Sequence, residues 1–301
     1  MAHSPYDVTL GDHATTPTTV KQITSLTHNT GSQVINAFGS GEAAPAAIYQ
    51  GDSPHSSQLQ TTDMATLLAL NTSTFISAGL SCTLNNTDVP FRKRANYSTY
   101  ASGASHDAIR ATAAMITPDS ISGQQGESAT IDATLRYISS DGFTSPVSVL
   151  TGQTLSTATL TGEYILHSVV LNGTTVPELQ SVTINPGLTI VEQKEDGGPF
   201  STALYITEIV PTIEIQTQDL TTAIALADAS ALASGGCVVY FAKRASGAII
   251  ESTGSTEHIS VTGATGLRQA TTVGGDSRSN NTGSIRIHPF GLTAATGVAI
   301  S

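Results

Sequence analysis

The sequence predicts a mainly β protein made of two tandem, duplicated β-sandwich or barrel domains, each with one short flanking α-helix. The prediction depends on a long internal repeat, on short alternating apolar and polar segments bounded by turn residues, and on a low content of charge. Of 301 residues, 39% are hydrophobic and only 12% are charged. The chain can therefore bury a core, and a surface so poor in charge is typical of β-rich proteins with extensive packed surfaces.

The repeat aligns residues 20–70 with residues 176–226 at a constant offset of 156, with 14 identities in 51 positions. Its most similar parts are QTTDMATLLAL at 60–70 and QTQDLTTAIAL at 216–226. With small gaps the alignment continues through Cys82 with Cys237, FRKRA with FAKRA, His106 near His258, and TLRY at 134–137 with SIRI at 284–287. A collinear series of this length indicates the duplication of a whole domain.

The repeat also sets the predicted domain boundaries. Copy one covers residues 1–138 and copy two covers residues 160–301. The segment between them, 139–159, is rich in Ser, Thr and Gly and is interpreted as a linker with room for one strand.

Turn residues define several strands. Asn172-Gly173 between two apolar segments predicts a type I′ hairpin, because both residues tolerate positive φ angles. Asn185-Pro186-Gly187 suits a type II turn, and Asn29-Thr30-Gly31 keeps the required glycine in copy one. The alternating TIEIQ at 212–216 predicts a half-buried strand.

A change of period after that strand predicts one helix in each copy. Apolar residues recur at i, i+3 and i+4 from Met64 in copy one and from Leu220 in copy two. Side chains with oxygen acceptors precede each helix and are predicted to cap its free N–H groups. These residues are Thr61 and Asp63 in copy one, and Thr217 and Asp219 in copy two.

No catalytic, cofactor-binding or metal-binding residues are predicted. GSGEAA at 39–44 lacks the third glycine of a dinucleotide loop, and the His106-Asp107 pair has no counterpart with a matched nucleophile. Cys82 and Cys237 are expected as buried, unpaired thiols in strands. The start of the chain has no apolar signal region, and no segment is long enough to span a membrane.

The charge balance argues against stable nucleic-acid binding. The net charge is −11, and 12 basic residues cannot form a broad cationic face. We instead expect the two small basic clusters to form ion pairs with acids of a neighbouring subunit. The clusters are Arg92, Lys93 and Arg94, and Lys243 and Arg244.

The pattern of strands and turns resembles the tail tube proteins of long-tailed bacteriophages. The resemblance covers both copies and is carried by VTINPGLTIVEQKEDGGPF, TIEIQTQDLTTAIAL, YFAKRA and GSIRIHPF. In that family, subunits pair their strands into rings that stack into a hollow tube. The resemblance implies the variant with two fused tube domains, in which three chains complete a pseudo-sixfold ring.

The resemblance also implies partners and a location. The chain is expected to be a homotrimer in rings of the virion tail, assembled in the bacterial cytoplasm, and to meet the tape measure and baseplate proteins. Genome DNA is expected to pass the lumen without specific binding, past a wall on which acids outnumber bases. Two loops, 36–46 and 192–200, are expected to contact the adjacent ring through Phe38, Glu42, Lys194, Glu195, Asp196 and Phe200.

Three alternatives stay open at this point. One is a baseplate or distal tail ring of the same fold. Another is a secreted β-sandwich adhesin or carbohydrate-binding module, although Trp is absent and aromatic residues are only 5%. An enzyme is the least favoured class, because no pair of titratable groups recurs with an orienting partner.

Overall fold

The computed structural model describes residues 3–11, 17–38, 40, 43–95, 99–155, 162–219, 230–232, 236–245, 248–274 and 282–300. The fold is mainly β, as predicted, and every strand pairing in it is antiparallel. Residues 3–155 are called the first half below, and residues 162–300 the second half.

The first half contains thirteen strands in the described residues. They are β1 (His3–Pro5), β2 (Val8–Leu10), β3 (Thr18–Val20), β4 (Ile23–Asn29), β5 (Val34–Phe38), β6 (Pro45–Gln50), β7 (Ser56–Thr61), β8 (Leu80–Cys82), β9 (Thr87–Lys93), β10 (His106–Ala111), β11 (Ala114–Gln124), β12 (Thr130–Tyr137) and β13 (Val147–Gln153).

The second half contains twelve strands in the described residues. They are β14 (Tyr164–Leu171), β15 (Thr174–Thr175), β16 (Leu179–Asn185), β17 (Leu188–Lys194), β18 (Ser201–Ile209), β19 (Thr212–Thr217), β20 (Ser230–Leu232), β21 (Cys237–Lys243), β22 (His258–Gly263), β23 (Gly266–Gly274), β24 (Thr282–Pro289) and β25 (Leu292–Val298).

One large sheet crosses both halves. Its strand order is β4-β7-β12-β11-β16-β19-β24-β23-β20, with β8 on β11. A smaller sheet accompanies it in each half, with order β13-β10-β9-β2-β3 in the first and β25-β22-β21-β14-β15 in the second. The two hairpins β5–β6 and β17–β18 form separate two-stranded ribbons.

The two halves match strand for strand. In the first half β4 pairs with β7, β7 with β12 and β12 with β11; in the second, β16, β19, β24 and β23 pair in the same order. The hairpins share one register, because Ile35 faces Tyr49 as Val191 faces Tyr205. Residues at equal places in these pairings are called counterparts below.

A continuous apolar core fills the space between the large sheet and each smaller sheet. Alternate strand residues face it, such as Ile131, Ala133 and Leu135 in β12 and Ile285 and Ile287 in β24. This alternation is the period expected for strands that bury one face. The large sheet therefore packs one face against the core, and its other face is polar.

The short helix predicted from Met64 is present in the segment after β7, and a second short helix that was not predicted follows it. This segment consists of α1 (Met64–Leu68), a 3₁₀ turn (Leu70–Ser73) and α2 (Phe75–Ala78). Asn71, Thr72 and Ser73 have positive φ angles, which separate α1 from α2. The corresponding helix predicted from Leu220 lies outside the described residues.

The type I′ turn prediction is confirmed, and the glycines of the two predicted type II turns have the positive φ expected, although residues 30–31 and 186–187 form no turn. Asn172 and Gly173 both have positive φ, 48° and 82°, as a type I′ turn between β14 and β15 requires. Gly31 and Gly187 are counterparts with φ of 61° and 65°. A Cβ at either position would collide with a carbonyl oxygen, that of Pro54 or Val210.

The structure also corrects three details of the sequence alignment. The counterpart of Cys82 is Leu232, not Cys237, because Cys82 pairs with Ala114 in β11 as Leu232 pairs with Gly266 in β23. The late strands align at an offset of 152, so the TLRY and SIRI alignment is two residues out of register. The segment 139–159 contains β13, which pairs with β10 as β25 pairs with β22.

Candidate functional site

The two halves join edge to edge through backbone pairing. Strand β11 of the first half pairs with β16 of the second, with Ile121 opposite Ile184 and Ser122 opposite Thr183. Strand β16 is the counterpart of β4. The large sheet thus consists of two four-strand units, β4-β7-β12-β11 and β16-β19-β24-β23. The joint pairs the first strand of the second unit with the last strand of the first unit.

Each chain leaves the two matching edges open among the described residues. Strand β4 pairs only with β7 and ends the large sheet on one side. On the other side β20 covers β23 only from Gly266 to Arg268, and Val273 and Gly274 pair with β24 alone. Val273 and Gly274 are the counterparts of Ile121 and Ser122 at the joint.

A second contact reinforces the joint from the hairpin β17–β18. Lys194 Nζ lies 2.9 Å from Asp52 Oδ2 of the first half. The backbone N–H of Ser53 donates to the carbonyl of Pro199 at 2.9 Å, and Ser139 N–H donates to Ser201 O at 2.8 Å. The base of the second hairpin is thereby fixed on the first half.

The helical segment of the first half makes a third contact. Both α1 and α2 touch β25, the last strand of the second half. Ala294 in β25 is buried, with 7% of its surface exposed. Its counterpart in β13 is Val149, which is 72% exposed.

Histidines lie at the hairpin contact. The ring centroids of His28 and His55 are 5.9 Å apart, and that of His55 lies 5.4 Å from Phe200 of the second half. His28 Nδ1 is 3.0 Å from Ser57 Oγ, which is 2.7 Å from the Tyr137 hydroxyl. The buried Nδ1 of His55 has no hydrogen-bond partner.

Burial controls the ionisation of this cluster. It lowers the pKa of both His28 and His55, and the charge of His55 lowers the pKa of His28 further. Burial also raises the pKa of Tyr137 to about 12. The neutral imidazoles are therefore the forms that the folded contact favours.

The polar face of the large sheet carries hydroxyl and amide side chains with few charges. The strands of this sheet contain three acids and three bases: Asp119, Asp132, Glu214, Arg136, Arg268 and Arg286. Arg286 donates to Glu214, and Arg136 donates to Thr117 Oγ1 at 2.9 Å. These strands therefore have no excess of either charge.

The side chains predicted to cap the first helix form other hydrogen bonds. The Thr61 hydroxyl donates to Lys21 O at 2.5 Å and accepts the Asp63 N–H at 2.9 Å. Asp63 precedes α1 but makes no side-chain cap; its carboxylate accepts the Lys21 N–H at 2.9 Å. The capping prediction for Thr61 and Asp63 is therefore wrong, because the neighbouring segment before β4 uses both side chains.

The second half repeats this arrangement. The Thr217 hydroxyl donates to Pro177 O at 2.6 Å and accepts the Asp219 N–H at 3.0 Å. Pro177 is the counterpart of Lys21. The helix that Thr217 and Asp219 were predicted to cap lies outside the described residues.

The basic clusters are engaged within the chain. The Arg92 guanidinium lies over the rings of Tyr6 and Tyr100, and the Arg94 guanidinium lies over Tyr100. The second cluster forms ion pairs, Lys243 with Glu257 at 3.1 Å and Arg244 with Glu163 at 3.6 Å. Their pairing with acids of a neighbouring subunit stays a prediction. The backbone of Lys93 donates its N–H to His106 Nδ1 at 3.1 Å and accepts the Ala101 N–H at 2.9 Å.

The residues predicted to contact an adjacent ring fall into three groups. Lys194 and Phe200 are used in the contact between the halves, which the sequence did not reveal. Glu195 and Asp196 are exposed near that contact, and Phe38 is exposed on the other hairpin. Glu42 lies outside the described residues.

The described residues contain no group of three or more His, Cys, Asp or Glu side chains placed to hold a metal ion. Cys82 and Cys237 are buried free thiols in strands, as predicted, and burial raises the pKa of Cys237 to about 12. No helix in the described ranges has the length and apolar character of a membrane span.

Comparison with known proteins adds no relative. The sequence matches no protein-family model, and no curated protein matches it.

Proposed function

We propose that this protein is a ring-forming structural subunit of a bacteriophage tail tube, in which three chains close into a ring around a DNA-conducting lumen. The observation that carries the proposal is the joint between β11 and β16. Each chain pairs one unit with the next head to tail and leaves the same two edges open. A contact of this kind closes into a ring when its rotation divides a full turn.

The matching halves support an origin by domain duplication. Strand order, hairpin register and the Thr hydroxyl bonds to Lys21 O and Pro177 O recur in both. Two equivalent units per chain then make a closed ring of three chains a ring of six units. Closure also pairs the exposed strand edges, which are otherwise sites of uncontrolled association.

We assign the polar face of the large sheet to the lumen. Its hydroxyl and amide side chains and its balanced charges provide no cationic path that would hold phosphates. In this proposal DNA slides past a neutral wall, a revision of the acidic wall expected from net charge. The tape measure and baseplate proteins remain the proposed partners along the tube axis.

A cysteine pair tests the head-to-tail closure. By the register of the internal joint, Thr27 of one chain faces Gly274 of the next, as Thr183 faces Ser122 within the chain. We expect the double variant Thr27→Cys/Gly274→Cys to form disulfide-linked oligomers up to a closed trimer under oxidation. Non-reducing electrophoresis and negative-stain microscopy of rings measure the result.

The internal joint supplies the matched control. Ser122→Cys/Thr183→Cys places thiols at the same register within one chain and should form an intrachain disulfide. In the second control, Thr27→Cys/Gly254→Cys, the second thiol lies in the loop before β22 instead of at the end of β23. This variant should give no closed trimer. If the internal pair oxidises and the Thr27/Gly274 pair stays monomeric at high protein concentration, head-to-tail closure is wrong.

A further inference from the structure

We propose that a second surface of this chain binds a second copy: the base of the hairpin β5–β6 seats on Glu208, Ile209, Val210 and Phe290 of the preceding chain. The inference rests on the proposed head-to-tail closure and adds the contact that flanks the paired strands. Its template is the contact that the hairpin β17–β18 makes within the chain.

The internal contact defines which residues meet. Lys194, at the end of β17, pairs with Asp52, and the carbonyls of Pro199 and Ser201 accept hydrogen bonds from the N–H groups of Ser53 and Ser139. Both hairpins have the same register, so the counterpart of Lys194 is Phe38 and the counterpart of Asp52 is Glu208. Phe38 of one chain is thereby placed opposite Glu208 of another.

Burial differs between the counterparts Ser53 and Ile209 in the direction that an unfilled contact requires, whereas Asp52 and Glu208 are both exposed. Ser53 is 1% exposed under the second hairpin, whereas its counterpart Ile209 is 45% exposed. The next residue, Val210, is 53% exposed. These apolar side chains occupy the place that the first half uses for its hairpin contact.

Phe290 extends this apolar surface. It is three residues beyond Ile287, and Val210 is three residues before Ile213, the two residues that pair in β24 and β19. Phe290 is 83% exposed. An exposed cluster of this kind marks a binding surface rather than scattered surface residues.

The opposite side of the chain carries the apolar residue that is proposed to contact this surface. Phe38 is 59% exposed on the hairpin β5–β6. Val149 on β13 is also exposed, although its counterpart Ala294 is covered by α1 and α2. One side of the first half is therefore exposed where the matching side of the second half is covered within the chain. This exposed side includes strand β4, Phe38 and Val149.

The chemistry of the two contacts differs. The internal contact uses the ion pair Lys194–Asp52, whereas the external one sets Phe38 against apolar neighbours and the aliphatic part of Glu208. Apolar burial is a suitable driving force for association between chains, since no covalent link holds them together.

Charge reversal tests the pairing of Phe38 with Glu208. Phe38→Glu should place two carboxylates together and raise the concentration required for ring formation at least tenfold. Phe38→Glu/Glu208→Lys should restore assembly and make it salt-sensitive, because it recreates an ion pair of the Lys194–Asp52 kind with reversed polarity. Analytical ultracentrifugation over a range of concentrations measures both.

Two controls keep the outcomes separate. Ile249→Glu changes an equally exposed apolar residue outside the contact and should leave assembly unchanged. The denaturation midpoint of each monomeric variant checks folding. If the unaltered chain forms rings but Phe38→Glu assembles like it, or Glu208→Lys fails to rescue, this contact is wrong while closure stands. If the unaltered chain forms no rings, closure itself fails.

Discussion

At the scale of single residues, one hydroxyl in each half connects three segments. Thr61 and Thr217 both donate to a carbonyl two residues before a strand of the large sheet and accept the N–H of an Asp two residues later. The residue after each accepting carbonyl, Gln22 or Glu178, has a positive φ of 54° or 49°. Such backbone strain persists in non-glycine residues where surrounding bonds fix the chain.

Removal of these hydroxyls should destabilise the fold. We expect Thr61→Val and Thr217→Val each to lower the free energy of unfolding by about 1–3 kcal/mol, because a buried carbonyl and N–H lose their partner. Urea denaturation measures the change. Thr207→Val, which removes an exposed hydroxyl that donates to Thr189 O at 3.4 Å, is the control and should cost less than about 0.5 kcal/mol. Equal losses at all three positions would contradict the assigned role.

The sequence could predict turn residues but not these bonds. Asn172-Gly173 requires a local backbone geometry, so the dipeptide alone was sufficient. Thr61 and Asp63 carry the same local signal as a helix cap, but their partners lie about 40 residues earlier in the chain. A distant acceptor cannot be recognised from local spacing, and the tertiary contact prevailed over the capping preference.

At the scale of elements, the two hairpins differ in what they contact. The hairpin β17–β18 packs on the first half of its own chain, whereas β5–β6 is proposed to pack on another chain. A two-stranded ribbon alone is only marginally stable in water. The ribbon β17–β18 is supported at its base by Phe200, His55 and the Lys194–Asp52 pair. Both ribbons expose apolar side chains along their strands, Ile35 and Tyr49 in β5–β6 and Val191 and Tyr205 in β17–β18. The difference between them therefore lies at the base, where Phe38 of β5–β6 is exposed.

The support of β17–β18 should depend on pH. The pKa of His28 and of His55 is lowered by burial from the ordinary 6.5, so the unfolded chain binds more protons below that value. The stabilisation by the neutral rings is complete above pH 6.5 and is lost as pH falls through the lowered pKa values. The urea midpoint should decrease from about pH 8 to about pH 5.

A double variant isolates the histidine contribution. Asp7 and Asp119, whose pKa values are raised by burial, contribute in the opposite direction but are common to both proteins. In His28→Gln/His55→Gln the midpoint should decrease less over the same pH interval. An unchanged pH dependence in the double variant would contradict the histidine assignment.

Strands and helices could be predicted from the sequence where a local residue pattern determines them. The alternating TIEIQ became β19, and both halves have the predicted β architecture. The helix predicted from Met64 is α1, whereas the positive φ angles of Asn71 to Ser73, which separate α1 from α2, are not encoded in the i, i+3, i+4 pattern. The Ser, Thr and Gly composition of 139–159 left room for one strand, but it could not show that this strand, β13, pairs with β10 in the smaller sheet. The contact site required knowledge of strand order across the halves.

At the scale of the whole molecule, the core is continuous from one half to the other. Residues of both halves, including Cys82 and Cys237, belong to one buried cluster. We therefore expect a single cooperative unfolding transition that exposes both thiols together.

Thiol alkylation in increasing urea tests this expectation. Both cysteines should be unreactive in the native protein, since burial raises the pKa of Cys237 to about 12 and both side chains are inaccessible. Mass spectrometry of labelled peptides should give one common midpoint for Cys82 and Cys237. A lower midpoint for one of them would indicate that the halves unfold independently.

The covalent fusion of the two halves changes how an assembly of this chain responds to dilution. The pairing of β11 with β16 is intramolecular, so its two edges meet at a local concentration fixed by the connecting chain rather than by the amount of protein. In a three-chain ring every second joint would thus survive any dilution. Mass action could act only on the remaining three, which halves the number of joints that must form between separate molecules.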